Sequence, residues 1–253
     1  MRINFSLLLA LLLAPLLPLP FAATAQAGRV TVAFPNGLAL AMSPLRDAFQ
    51  SKTGNGMTPL AAATGLIYAK ITLGTPFDVF LADDSETPKR AIAAGFAVEG
   101  TEFTYALGKI VLFSADPKLV NGAETLKASA FHKLAVADPK IGPYGTAPLE
   151  VMKKLGVYEA LAPKLVVGKS LTEAYQSVDY RQVELGFVAL NQVVDRKDGS
   201  QWLVPQEDYA PIPMDAVLLT PGKDNEAAKA FMDFLKSDEA VKIIHSYGFG
   251  TMS

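Results

Sequence analysis

The chain predicts an α/β fold in two lobes, each a mixed sheet flanked by helices, with the polypeptide crossing twice between them. Three observations carry this. Short apolar runs alternate with segments of helical periodicity from Arg29 to Tyr247, the pattern of parallel strands covered by helices. No single linker divides the chain into halves, and no repeat of fixed period runs through it. The chain therefore leaves a first lobe around Ala106-Leu107-Gly108 and returns to it around Pro211-Ile212-Pro213. A cleft between two lobes is a usual place for a small-molecule site.

The elements follow in order. Residues 29–33 read as a first strand. Residues 38–53 read as a helix with apolar positions at Leu38, Ala41, Met42, Leu45 and Phe49, closed by Thr53-Gly54. Pro44 inside that pattern signals a kink or a later start. Residues 57–61 form a second strand, 65–73 a helix ended by Gly74, and 78–82 a buried strand. Thr87-Pro88 then read as an N-cap with proline at the first helical position, and Gly95 closes that helix. Residues 104–114 read as one long strand ending at Ala115-Asp116-Pro117. Residues 133–137 are an apolar strand stopped by Asp138-Pro139. A Gly142-Pro143-Tyr144-Gly145 turn follows, then a helix over 148–155 ended by Gly156. Strands at 165–167, 185–190 and 216–220, a helix at 171–177, and two final helices at 225–236 and 238–245 complete the reading. Ser237 caps the last helix.

Composition narrows the function. Residues 1–27 read as an export signal: Arg2 is followed by an uncharged apolar stretch over 5–17, and Ala25-Gln26-Ala27 is a small-residue cleavage pattern. That stretch is too short, and too broken by Pro15, Pro18 and Pro20, to predict a membrane span. Without Arg2 the chain has 22 basic against 25 acidic side chains, which argues against nucleic-acid or membrane-surface partners. Cys is absent, so an exported protein must rest on its apolar core rather than on disulfides. A cleavage site without Cys also argues against a lipid anchor. The periplasm is the expected location. His132 and His245 are the only histidines, which supplies neither a His-rich metal site nor a Ser-His-Asp triad.

The stretch 137–148 is the most informative. It places a turn at the carboxyl end of a strand and the amino end of a helix. Backbone N–H groups there lack intrahelical partners, and the helix dipole adds partial positive charge, which together favour an anion.

Several blocks in a fixed order carry a resemblance. They are Gly74-Thr75-Pro76-Phe77-Asp78-Val79-Phe80-Leu81-Ala82-Asp83-Asp84, Ala137-Asp138-Pro139 leading to Pro143-Tyr144-Gly145, Val183-Glu184-Leu185-Gly186-Phe187-Val188-Ala189-Leu190 and Ser246-Tyr247-Gly248-Phe249. Across the chain beyond residue 27 the sequence resembles the periplasmic molybdate-binding proteins of ABC importers, within the type II solute-binding fold. The resemblance implies lobe I at 28–107 plus 213–253 and lobe II at 108–212. It implies a monomeric receptor without catalysis or cofactor, which captures molybdate or tungstate between the lobes and delivers it to a membrane permease. Molybdenum or tungsten enters only as its oxyanion. The ligand loops implied are Phe34-Pro35-Asn36-Gly37, Ala62-Ala63-Thr64-Gly65, Pro143-Tyr144-Gly145 and Ser170-Leu171-Thr172. The implied oxyanion-binding residues are Asn36, Gly37, Ala63, Thr64, Tyr144 and Leu171, the last through its backbone.

Two departures from the family pattern stand out: Phe34-Pro35 replaces small or hydroxylated residues, and Ala63 stands where relatives usually have Ser. The alternative reading is a receptor for sulfate, a sulfonate or another small organic anion. An organic carboxylate usually attracts an Arg, and none lies in the four loops; Arg181 is the nearest to a lobe II strand. Molybdate and tungstate are fully deprotonated near neutral pH and only accept hydrogen bonds. The expected cavity therefore offers donors and has no acid on its wall. Asp83-Asp84 read as strand-end polarity and capping near Thr87.

Overall fold

The structure, a computed structural model, describes residues 27–251. The segment read as an export signal lies outside the described residues, Ala27 excepted. In chain order the elements are β1 (Arg29–Pro35), α1 (Ala39–Thr53), β2 (Gly56–Ala62), α2 (Thr64–Thr72), β3 (Val79–Leu81), α3 (Glu86–Ala93), β4 (Phe103–Gly108), β5 (Ile110–Ser114), α4 (Glu124–Ala128), β6 (Leu134–Ala137), α5 (Pro143–Lys154), α6 (Tyr158–Leu161), β7 (Leu165–Gly168), α7 (Leu171–Asp179), β8 (Leu185–Ala189), α8 (Leu190–Val193), β9 (Ser200–Leu203), β10 (Ile212–Leu218), α9 (Glu226–Leu235) and α10 (Asp238–Ser246).

Two five-stranded sheets result, ordered β2-β1-β3-β10-β4 and β7-β6-β8-β5-β9. In the first, β1 runs parallel to β2 and β3, and β10 lies antiparallel between β3 and β4. In the second, β6 runs parallel to β7 and β8, and β5 lies antiparallel between β8 and β9. Each sheet thus holds three neighbouring parallel strands, the antiparallel strand by which the chain arrives from the other lobe, and one outer strand beyond it.

Strand periodicity explains the layering. Val30, Val32 and Phe34 of β1, Val79 and Leu81 of β3, and Met214, Ala216 and Leu218 of β10 face one side of the first sheet, where they pack with α1, α9 and α10. Ala33, Phe80 and Val217 face the other side, with Ile67 and Ile71 of α2 and Ala91 of α3. Phe49 meets Phe231 edge-on at 5.3 Å between ring centres, an arrangement aromatic pairs favour. In the second sheet Ile110 and Leu112 pack with Val151 and Met152 of α5, while Val111 and Phe113 pack with Ala174 and Val178 of α7.

Several boundaries differ from the sequence reading. The apolar run 104–114 is two strands in two sheets, parted by Lys109 alone. Helix α5 begins at Pro143, so the Gly-Pro-Tyr-Gly turn includes its first residues, and Pro148 lies inside the helix. Thr87 is not an N-cap. Helix α3 starts at Glu86, and Asp84 performs the capping through Thr87 N (2.6 Å) and Thr87 Oγ1 (2.9 Å). Strand β10 runs 212–218 rather than 216–220. Helix α1 runs through Pro44, which lacks the N–H for one backbone bond of the helix.

Candidate functional site

Six strand-to-helix joints, three from each sheet, meet around a cavity of about 580 Å³. Pro35, Asn36 and Gly37 follow β1, Ala63 follows β2, and residues 83–86 follow β3. Residues 140–145 follow β6, residues 170–172 follow β7, and Asn191 and Gln192 follow β8. All lie at the carboxyl ends of parallel strands, the crevice where α/β sheets receive ligands.

Each joint has a local cause. After β1 the Phe34 side chain turns into the core, 4% exposed, so this bulky departure from the family pattern does not fill the cavity. Pro35 ends the strand, and one 3-10 turn over Asn36–Leu38 sets Asn36 and Gly37 on the wall. After β2, Ala63 is the extended N-cap of α2. After β6, Gly145 permits α5 to press on Asp138-Pro139: a Cβ there would fall 2.6 Å from the Asp138 carbonyl carbon. Tyr144 is thereby carried onto the crossing strands. A Cβ on Gly108 would overlap the Tyr144 hydroxyl and lie 2.7 Å from its Cζ, so only glycine fits beneath the ring. After β7, Ser170 caps α7 by accepting from Glu173 N at 3.1 Å. Leu171 then stands first in the helix, where a backbone N–H has no intrahelical partner. The Glu173 carboxylate accepts from Lys169 N at 2.8 Å. The amino ends of α2, α5 and α7 thus converge, and their dipoles favour an anion between them.

Of the six residues singled out from sequence, Asn36, Gly37, Ala63, Tyr144 and Leu171 line the cavity. Thr64 is set behind Ala63: it is buried, and its Oγ1 accepts from Asp83 N at 3.2 Å. A second correction concerns the acids. The wall includes Asp83, Asp84 and Glu86, contrary to an acid-free cavity. Asp84 is engaged in capping α3, and Glu86 pairs with Lys89 at 3.0 Å. Water reaches Asp83 through the cleft, while protein crowds its other sides. Desolvation, and to a lesser degree the Asp84 charge, raise its carboxyl above the ordinary range against the opposing hydrogen bond with Thr64. Burial, then the Asp83 charge, raise the Tyr144 phenol, so it is a neutral donor.

Sequence reasoning missed Asp83, Asn191 and Gln192 as cavity residues. Asn191 joins the lobes, its Nδ2 donating to Gly37 O at 3.0 Å. Its position just past a buried strand was the available signal. Arg181 lies elsewhere, in a hollow of about 400 Å³ at the Ser114 end of the second sheet, with His132, Lys133 and Glu184. Among the described residues no group of three or more metal-ligating side chains occurs, and no helix is long and apolar enough to cross a membrane.

Two lobes joined by paired crossing strands, with strand-end donors around a shared cavity, define a solute-binding protein. The sequence profile described as bacterial extracellular solute-binding protein matches residues 30–250. The chain is 46% identical over 227 residues to the molybdate-binding protein ModA of Rhodobacter capsulatus, with 90% of each covered. It is 45% identical over 233 residues to ModA of Azotobacter vinelandii, covering 90% of this chain and 92% of that one. Among solved structures it superimposes on the periplasmic molybdate-binding protein of Azotobacter vinelandii with a TM-score of 0.75 at 31% identity, covering 88% and 100% of the two chains. The chain belongs to the bacterial extracellular solute-binding proteins, in the family of periplasmic molybdate-binding proteins.

Proposed function

We propose that this protein captures molybdate, or the similar dianion tungstate, in the cavity between its lobes and delivers it in the periplasm to the permease of an ABC importer. The observation that carries the reading is the convergence of Asn36, Gly37, Ala63, Tyr144 and Leu171, from both lobes, on one cavity. These residues supply amide, phenol and backbone donors and no formal charge. A tetrahedral oxyanion fills only part of about 580 Å³, so donors from the two sides must draw together on it. The lobes in this reading are 28–107 with 213–253, and 108–212, and the receptor works as a monomer. None of these five residues is cationic, so releasing the anion from them at the permease breaks no ion pair.

A thermal-shift panel tests this. Molybdate and tungstate are expected to raise the melting temperature through mass action, while phosphate leaves it unchanged. A larger rise with sulfate or a sulfonate would reassign the ligand. The family's names for its relatives support molybdate; the donor chemistry supports any fully deprotonated tetrahedral dianion.

A further inference from the structure

Asp83 is a carboxylate on the wall of a cavity otherwise suited to a dianion. Its backbone N–H donates to Thr64 Oγ1 of α2 at 3.2 Å, which ties this joint to the neighbouring helix. The charged and titratable groups around it come from every neighbouring element. Asp84 and Glu86 belong to its own joint, engaged as described above. Tyr105 of β4 donates to Ala82 O at 3.1 Å. Asp215 of β10 accepts from Thr104 Oγ1 at 2.7 Å. Tyr144 faces it from lobe II, and Lys140 lines the cavity on that side. The influences on the Asp83 carboxyl are burial, the Thr64 hydroxyl, the Asp84 charge and its own backbone; no cation is among them. An arriving dianion meets this negative charge on the wall.

We propose that Asp83 takes up a proton from solvent as the oxyanion binds, which turns an acceptor on the wall into an O–H donor and makes capture proton-coupled. The inference deepens the molybdate reading and rests on it. The balance is simple: carboxylate, proton and dianion combine into a carboxylic acid beside a bound dianion, and release reverses this. A bound hydrogen oxyanion facing an ionised Asp83 has the same proton count, so the linkage holds whichever oxygen carries the proton. The free carboxyl already holds a proton more firmly than an ordinary aspartate, and a second negative charge at close range strengthens that hold.

The consequence for affinity has a definite sign. Where Asp83 is ionised in the free protein and protonated in the complex, affinity falls by about tenfold per pH unit as pH rises. The test is titration calorimetry with sodium molybdate between about pH 6 and pH 8, in buffers of different ionisation enthalpy, which counts protons exchanged. Wild type is expected to take up a fraction of a proton that shrinks toward the alkaline end. Asp83→Asn keeps a donor without the charge; it is expected to exchange no proton, to bind with pH-independent affinity, and to exceed wild type by tenfold or more, an order-of-magnitude expectation, at the alkaline end. Asp84→Asn, altered at the cap, is expected to keep the proton uptake. Zero uptake by wild type, or uptake that persists in Asp83→Asn, overturns the proposal. The wild-type proton count decides the matter even if a variant folds poorly. Failure of wild type to bind molybdate at any of these pH values removes the parent reading, a different result from binding without proton exchange.

Discussion

In the first lobe the joint after β3 brings Asp83, Asp84 and Glu86 to the cavity; in the second, the joint after β8 brings Asn191 and Gln192. The two joints occupy the same place in their sheets, each beside the central parallel strand and next to the strand arriving from the other lobe. One is acidic and the other is neutral. Gln192 Oε1 accepts from Ala189 N at 3.0 Å, which holds its joint in shape, and Asn191 reaches across to Gly37. The same architectural position therefore serves as an interlobe clasp in one half and as an electrostatic gate in the other. A common scaffold sets where groups point, and the residue at the strand end sets what they do there.

The comparison can be broken or sharpened by substitution. The largest effect is expected at Gly108, which lies under the Tyr144 ring and against Ile212. Gly108→Ala should destabilise the protein by about 1–3 kcal/mol through overpacking and displace Tyr144; a denaturant melt and a molybdate titration on the same sample would measure both. Next are the donors. Asn36→Ala and Tyr144→Phe should each weaken oxyanion binding by about 1–3 kcal/mol, the range of a hydrogen bond to a charged acceptor. Unchanged calorimetry in both would remove these residues from the site.

The clasp is expected to matter less. Asn191→Ala removes one neutral hydrogen bond across the cleft, about 1 kcal/mol, and stopped-flow release should show it mainly as a faster off-rate. The acidic joint predicts a pH effect on stability without ligand. Asp83 has a raised carboxyl in the folded chain, so the native state holds its proton more firmly than the unfolded state. Its contribution falls as pH rises from the ordinary carboxylate range through the raised value. Melting temperatures of Asp83→Asn should exceed wild type at neutral pH and match it in acid. The smallest effect belongs to the distal hollow. Arg181 has φ of 57°, a conformation glycine adopts without strain. Arg181→Gly should shift stability by no more than about 1 kcal/mol and leave molybdate binding unchanged; weakened binding would tie the hollow to the cleft.

Much of the fold was legible because burial writes itself into periodicity. The runs of β1, β3, β6 and β8 are apolar since helices cover both faces of their sheets. Strand β9 was not legible: Ser200-Gln201-Trp202-Leu203 lies on a sheet edge and lacks such a run. The split of 104–114 was hidden because both crossing strands are buried and one lysine parts them. The ligand joints were found where a strand stop and a helix start fall together, as at Asp138 to Tyr144. Asp83 was missed as a cavity group because two adjacent carboxylates look alike in sequence, and only the fold shows that one caps a helix while its neighbour faces the cleft. Thr64 erred in the reverse direction: a hydroxyl at a helix start satisfies the same pattern whether it faces ligand or a neighbouring main-chain N–H.

The placement of β10 bears on how the molecule comes together as it folds. Every strand of the second sheet falls between Ile110 and Leu203, so that half can assemble as soon as a contiguous stretch has emerged. The first sheet has a gap between β3 and β4 that only residues Ile212–Leu218 can close. Long-range pairing of that kind is slow to form. The half begun earliest is therefore finished last, with its apolar edge left unpaired in the interval, a window in which a chaperone or an aggregating neighbour would find it.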